Sequence, residues 1–198
     1  MRQRISHTLA GTVAAAALLV GLPVHATELV TNGGFETGDF TGWTTAGDQT
    51  LSGVDSQNPH SGASAAYFGT NNSIATMAQT LATTAGTNYA VSFWLGNEVD
   101  VLGVSAPNSF AFSWDGTTET TLTNAAAFGY TQYSFVLPAT GSSTVLNFSF
   151  RQDPAFWDID DISVTAITAV PEPGSMALLG TGLFFVAVRA QRARKSPN

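Results

Sequence analysis

The side chains best able to do chemistry in this 198-residue chain are acids, and they gather toward its end. Asp153, Asp158 and Asp161 lie close together in sequence. Glycoside hydrolysis uses two carboxyl groups at a set separation, one of them with a raised pKa. Sequence spacing does not fix that separation, and the plainer reading of the three acids is a solvated acidic edge. Nucleophilic routes are narrower. The chain has no cysteine and no Gly-x-Ser-x-Gly elbow, and His60, which follows Pro59 in a turn, is the only histidine after His25. Loop packing is the expected role of His60. Indole faces offer a binding chemistry instead, because the C–H surface of a sugar ring stacks on them. The candidates are Trp43, Trp94, Trp114 and Trp157, most of them expected in a core. Trp114 stands beside Asp115-Gly116 and is the one expected to reach a loop end and meet carbohydrate.

Charge narrows the partners. Between Thr27 and Val170 there are thirteen acids and one base, Arg151, a formal charge of −12. Such a surface repels phosphate backbones, which excludes nucleic acid and favours cations or neutral ligands. Without cysteine, neither disulfides nor thiol-based metal sites operate, and the redox compartment is not readable from this feature.

The elements that must position these groups are strands. From Thr27 onward apolar residues alternate with Ser, Thr, Asn and Gly, and Gly or Pro interrupts at short intervals, the pattern of an antiparallel β-sandwich. Tyr89, Val91, Phe93 and Leu95 share one strand face; Phe110, Phe112 and Trp114 share another, and Tyr133, Phe135 and Leu137 a third. Asp115-Gly116 predicts a tight hairpin with positive φ at both central residues. Further strands are expected near Gly42 to Thr45 and over Ala63 to Phe68, Ser73 to Leu81, Ser109 to Trp114, Thr117 to Thr123, Thr144 to Arg151 and Phe156 to Ile167. The total of eight or nine fits an all-β antiparallel jelly-roll sandwich.

The two ends read differently. Arg2 and Arg4 precede an apolar run from Leu9 to Leu22, and Val24-His25-Ala26 offers a cleavage site, so residues 1–26 are expected to be a signal peptide cut after Ala26. At the other end Met176 to Val188 is almost wholly apolar and is followed by Arg189, Arg192, Arg194 and Lys195. A short apolar helix there, with both basic ends inside, places residues 27–168 outside the cytoplasmic membrane.

That terminus resembles a known family. Val170-Pro171-Glu172-Pro173, a Gly-Ser pair, the apolar stretch and the arginines stand in the order of a PEP-CTERM sorting tail, here residues 169–198. The resemblance implies that an exosortase in the membrane reads Pro171, Glu172 and Pro173 and processes the tail. It also implies association with surface or exopolysaccharide assemblies. A plain single-pass anchor is the alternative.

The middle resembles galactose-binding-like jelly rolls, including carbohydrate-binding modules. The similarity runs through Leu29 to Gly38 with Gly42-Trp43, His60-Ser61-Gly62, Ala85 to Trp94, and Trp157 to Val164. It implies a structural calcium held by Glu36 and Asp160, with Ser61 or Gly62 as a carbonyl donor. Independently, carboxylates brought together from the first and last strands repel unless a cation lies between them. Asp160 shares strand parity with Ile162 and Val164 and is expected to lean inward, with Asp161 facing out. A solvated rim is the alternative to calcium. The function expected is an exported, non-enzymatic envelope or matrix protein that binds polysaccharide. The rivals are a glycan hydrolase using paired carboxylates and a matrix protein with no ligand.

Overall fold

Where apolar and small polar residues alternate, the chain is extended, because successive side chains then fall on opposite faces and one face is buried. The computed structural model describes residues 26–70, 72–99 and 107–167. The expected signal segment and the sorting tail lie essentially outside these. Among the described residues, no helix is long and apolar enough to cross a membrane.

Ten strands form: β1 Thr44–Gly47, β2 Leu51–Asp55, β3 Ala65–Gly69, β4 Ala75–Ala82, β5 Asn88–Asn97, β6 Asn108–Trp114, β7 Thr117–Thr123, β8 Phe128–Pro138, β9 Ser143–Gln152 and β10 Trp157–Ala166. They make two five-stranded antiparallel sheets, ordered β1-β4-β9-β6-β7 and β2-β3-β10-β5-β8. The all-β sandwich expected from the pattern is therefore observed. The hairpin between β6 and β7 turns at Asp115 and Gly116, both with positive φ (51° and 81°), which matches the twist of the flanking strands.

The strand that periodicity overlooks is β2. Leu51-Ser52-Gly53-Val54-Asp55 is a short edge strand, only partly buried, and carries a glycine. Gly53 is there because its cross-strand partner Tyr67 lies over it: a Cβ at Gly53 would sit 2.6 Å from the Tyr67 hydroxyl.

The core is aromatic. Phe93 of β5 meets Phe112 and Phe148 of the opposite sheet at ring separations of 5.3 and 5.1 Å, and Phe68 stacks on Phe150 at 4.0 Å. Each such pair contributes about 0.5–1.5 kcal/mol beyond its buried area.

One irregularity in β10 decides where the acids go. Trp157, Ile159, Ile162 and Val164 all join the core, which strict alternation forbids. The register against β5 shifts between Asp160 and Ser163, and Asp161 takes a positive φ of 49°. This is a β-bulge, an extra residue that re-aims the side chains on either side of it. Parity counted back from Ile162 therefore fails at Asp160. Asp160 pairs with Trp94 and Asp158 with Gly96, and directly opposed residues share a face. Both acids sit on the outer face of the sheet.

Candidate functional site

The site begins in the loop that precedes β1. Gly33 accepts from the Ile162 N–H at 2.9 Å, and a Cβ at Gly33 would sit 2.0 Å from the Ile162 carbonyl oxygen. No other residue allows this loop to lie on the bulge of β10. Phe35, wholly buried, then plugs the core and stacks on Trp43 with ring centroids 6.0 Å apart. Anchoring Phe35 presents the next residue, Glu36, to the segment between β2 and β3.

That segment supplies backbone donors. Glu36 accepts from the Ala63 N–H at 2.9 Å and the Ser64 N–H at 3.1 Å. Asp160 Oδ2 accepts from the His60 and Ser61 N–H groups at 2.9 and 3.1 Å, and Oδ1 from the Asp161 N–H at 2.7 Å. Gly62 is bound to this arrangement twice over: its φ is +63°, and a Cβ there would lie 2.2 Å from Glu36 Oε1. Asp160 is fully buried, so the inward lean expected of it ends in burial, under a loop rather than in the core. Burial pushes its carboxyl above the ordinary range, and the backbone hydrogen bonds from Ser61, Asp161 and His60 oppose that rise.

Asp161 belongs to the same cluster, where parity had it facing solvent. Its Oδ1 accepts from the Ser61 hydroxyl at 2.7 Å and its Oδ2 lies 2.6 Å from His60 Nδ1. The His60 ring stacks on Trp94 at 3.9 Å and 18° and meets Tyr130 edge-on at 5.2 Å. Loop packing, the role expected of His60, is thus one of two. His60, Asp160 and Asp161 each offer a ligand atom within 4.8 Å of the others.

The donor set suits a hard cation. A Cβ added at Gly34 would lie 3.6 Å from Asp161 Oδ1, 3.8 Å from Asp160 Oδ1 and 4.0 Å from Glu36 Cγ. Oxygens of Asp160 and Asp161 therefore border one small space that a glycine leaves open, with Glu36 touching it only through Cγ; the acids that join His60 in a cluster of ligand atoms are Asp160 and Asp161. Among the described residues the one arginine, Arg151, is committed to Asp153 at 2.8 Å and to Asn72. Oxygen-rich, anionic and small, the space fits calcium chemistry.

Two residues before Asp160 on the same face, Asp158 meets different company. Its Oδ2 accepts from the Asn58 amide at 2.6 Å, and its other neighbour is the Glu98 carboxyl, with which it shares a hydrogen bond. Only 4% of Asp158 is exposed. Burial pushes its carboxyl up to about 7, and the nearby Glu98 and Asp55 charges add to the effect. Glu98 is raised too, first by burial. The bond between the two raises the Asp158 carboxyl and lowers that of Glu98. Asp158 and Glu98 line a cavity of about 550 Å³ together with Asn58, Gly96, Phe128 and Tyr130. Tyr130 donates its hydroxyl to the Asn58 carbonyl at 2.7 Å. Its own pKa is raised by burial and by the carboxylates around it.

The remaining candidates fall elsewhere. Trp114 is 3% exposed, packs against Tyr89 and donates its indole N–H to the Pro138 carbonyl at 2.8 Å. Its ring is core, so no sugar reaches it: the turn is at the loop end, but the indole points inward. Trp43 and Trp157 are also buried, and Trp94 is covered by His60. Asp153 binds Arg151 at the other sheet, so Asp153, Asp158 and Asp161 are not one constellation. Sequence reading missed Glu98 and Asn58, which lie far from Asp158 along the chain and carry no local signal. Pro171, Glu172 and Pro173 lie outside the described residues.

Comparison with known proteins now bears on both parts. Residues 169–195 match the PEP-CTERM protein-sorting motif. The match covers the C-terminal segment alone. It has no match among curated protein sequences. The sandwich superposes on solved structures at low identity. One is a CBM61 module, TmCBM61, in complex with β-1,4-galactotriose (22% identity, TM-score 0.53, 72% of this chain and 100% of that one). Another is the CBM22-1 xylan-binding domain of Paenibacillus barcinonensis Xyn10C (16% identity, TM-score 0.50, 75% and 100%). A third is the enzymatically active domain of bacteriophage CBA120 tailspike protein 4 (14% identity, TM-score 0.54, 71% and 21%). At these identities the likeness establishes the fold.

Proposed function

We propose that this protein is exported, sorted at the cell envelope through its C-terminal motif, and binds polysaccharide there without catalysis. The observation that carries the reading is the pairing of a sorting motif at 169–195 with a sandwich that spans the full length of two carbohydrate-binding modules. In this reading residues 1–26 are a signal peptide cut after Ala26, and an exosortase processes the tail at Pro171, Glu172 and Pro173. An exopolysaccharide is the partner, and the apolar tail holds the chain at the membrane before processing.

Calcium is the cofactor in this reading, held by Glu36 and Asp160 with Asp161 beside them. Bound there, it would supply positive charge between the opening loop and the last strand. The chain's own part is to bring Glu36, Asp160 and the His60–Ser64 backbone together, which fixes the loop that also carries Asn58.

A second reading, hydrolysis, is favoured by one feature, the Asp158 carboxyl raised to about 7 inside a cavity. Against it, Asp158 and Glu98 are hydrogen-bonded to each other. Retaining glycosidases hold their carboxyls about 5–5.5 Å apart, and inverting ones farther. The test is to pass the full chain through affinity gels containing soluble polysaccharides and to assay the same polymers for released reducing ends. Retention without release is the expected result. Release that disappears in a folded Asp158→Asn variant would move the protein to the hydrolases, and no retention by any polymer would remove the binding function.

A further inference from the structure

The cavity beside β10 joins aromatic surface to hydrogen-bonding groups, and nothing so far assigns it a ligand. Its volume, about 550 Å³, lies within the range of small-molecule sites, roughly 300–1,000 Å³. Phe128 and Tyr130 line one part, Asp158, Glu98 and the Asn58 amide another. We propose that this cavity is the carbohydrate subsite, and that it takes a neutral pyranose unit whose hydroxyls meet Asp158 and Glu98 and whose C–H face meets Tyr130. The inference rests on the polysaccharide-binding reading and goes further by naming the place and the class of sugar.

The acid pair suits hydroxyls in particular. Carboxyl oxygens of Asp158 and Glu98 and the Asn58 amide line the same hollow, and sugar hydroxyls each give one hydrogen bond and accept others. The surroundings specify neutrality. Glu98, Asp55, Asp160 and Asp161 all act on the groups of this wall, and Arg151, on the other sheet, is held by Asp153. A uronate or sulfated unit would meet Asp158 and Glu98 in a lining that has no basic side chain among the described residues, and like charge costs affinity and association rate alike.

The outer face of the first sheet is the rival location, and it lacks rings. The outward residues of β4, β6 and β9 include Thr76, Ala78, Ala111, Ser113, Asn147 and Ser149. Hydroxyls and methyls can bind a glycan, but they give a sugar ring no face to stack on.

The experiment uses the full chain in mild detergent and affinity gels of β-1,4-galactan and xylan as neutral probes, with alginate and polygalacturonate as anionic ones. Wild type should be retained by a neutral polymer and not by the anionic ones. Glu98→Gln and Asp158→Asn should each weaken retention about tenfold or more, the worth of one charge-assisted hydrogen bond. Gly96→Ala provides the variant that must fold: its methyl would lie 3.9 Å from Asp158 Oδ2 and no closer than 3.7 Å to anything, an ordinary contact. It should weaken retention several-fold with an unchanged melting midpoint. Retention of wild type by a neutral polymer with none of the three variants affected overturns the cavity and leaves the binding function standing. Equal retention by alginate overturns neutrality. Failure of wild type to bind any polymer removes the binding function and the subsite with it.

Discussion

The outer faces of the two sheets are built from the same chain and have opposite characters. On the first sheet the outward positions of β4, β6 and β9 carry Thr, Ser, Ala and Asn with one exposed valine, Val145, and Arg151 is tied to Asp153 at the end. On the second, Trp94, Tyr130, Asp158 and Asp160 stand outward and a loop folds over them, putting His60 on Trp94 and backbone N–H groups on Asp160. Short polar residues leave a sheet face to water. Large aromatic and acidic ones need a cover, and here the cover comes from the β2–β3 connection. Covering a face with a loop rather than a strand leaves hollows, and those hollows are where a cation and a ligand can enter.

The largest effect should come from breaking the loop's attachment at Asp160. Asp160→Ala leaves the His60, Ser61 and Asp161 N–H groups, all half-buried or exposed, without their acceptor. A fully buried unsatisfied donor costs about 1–3 kcal/mol; three partly covered ones fall at the low end, so a total loss of roughly 3 kcal/mol is expected, read as a lower midpoint in urea unfolding. An unchanged midpoint would show that the loop holds itself and that the contrast between faces does not depend on this acid.

Calcium comes next. A ligand that binds only the native state raises stability by about 2.7 kcal/mol at a hundredfold excess over its Kd. Melting of the full chain in millimolar calcium against chelator should therefore shift upward by several degrees, and Glu36→Gln should reduce the shift. Identical curves with and without chelator would discard the metal assignment and leave hydrogen bonds alone to hold the loop.

The cavity can be tested by pH. The folded Asp158 carboxyl stands at about 7, above the ordinary value of 3.8. A raised folded pKa means that the contribution to stability is complete below about pH 4 and is lost as pH rises toward 7. Wild type should lose up to roughly 4 kcal/mol across that window, the linkage between those two values. Asp158→Asn should flatten that slope, because an amide neither ionises nor repels Glu98. Opposite slopes from Asp39 and Asp48, whose carboxyls are lowered by hydrogen bonds from Thr41 and Thr50, are common to both proteins and cancel in the comparison.

How much of this was legible in sequence depends on the range over which each feature is encoded. Strands such as β5 and β9 carry their alternation locally, and the Asp115-Gly116 turn needs only two residues. Parity along Phe110, Phe112 and Trp114 already placed Trp114 in the core; its nearness to a turn was the misleading cue. The bulge in β10 is set by the Gly33 backbone pressing on Ile162, a contact between the two ends of the sandwich, so counting along one strand could not find it. Asp161 was assigned to solvent for that reason. The partnership of Asp158 with Glu98 and Asn58 is likewise a product of topology.

The smallest effect is expected on the other face, and it carries information because it is small. Asn147 and Ser149 point outward from the middle of the first sheet, and the Asn147 amide makes one long contact, 3.4 Å, to Ser113. Substituting either by alanine removes no buried group, and surface changes of this kind stay within about 0.5 kcal/mol. Melting and glycan retention should both be unchanged. Should Asn147→Ala or Ser149→Ala lower retention while Gly96→Ala does not, the glycan lies along the polar sheet. Hydroxyl ladders rather than a ring-lined hollow would then be the means by which this sandwich holds its polymer.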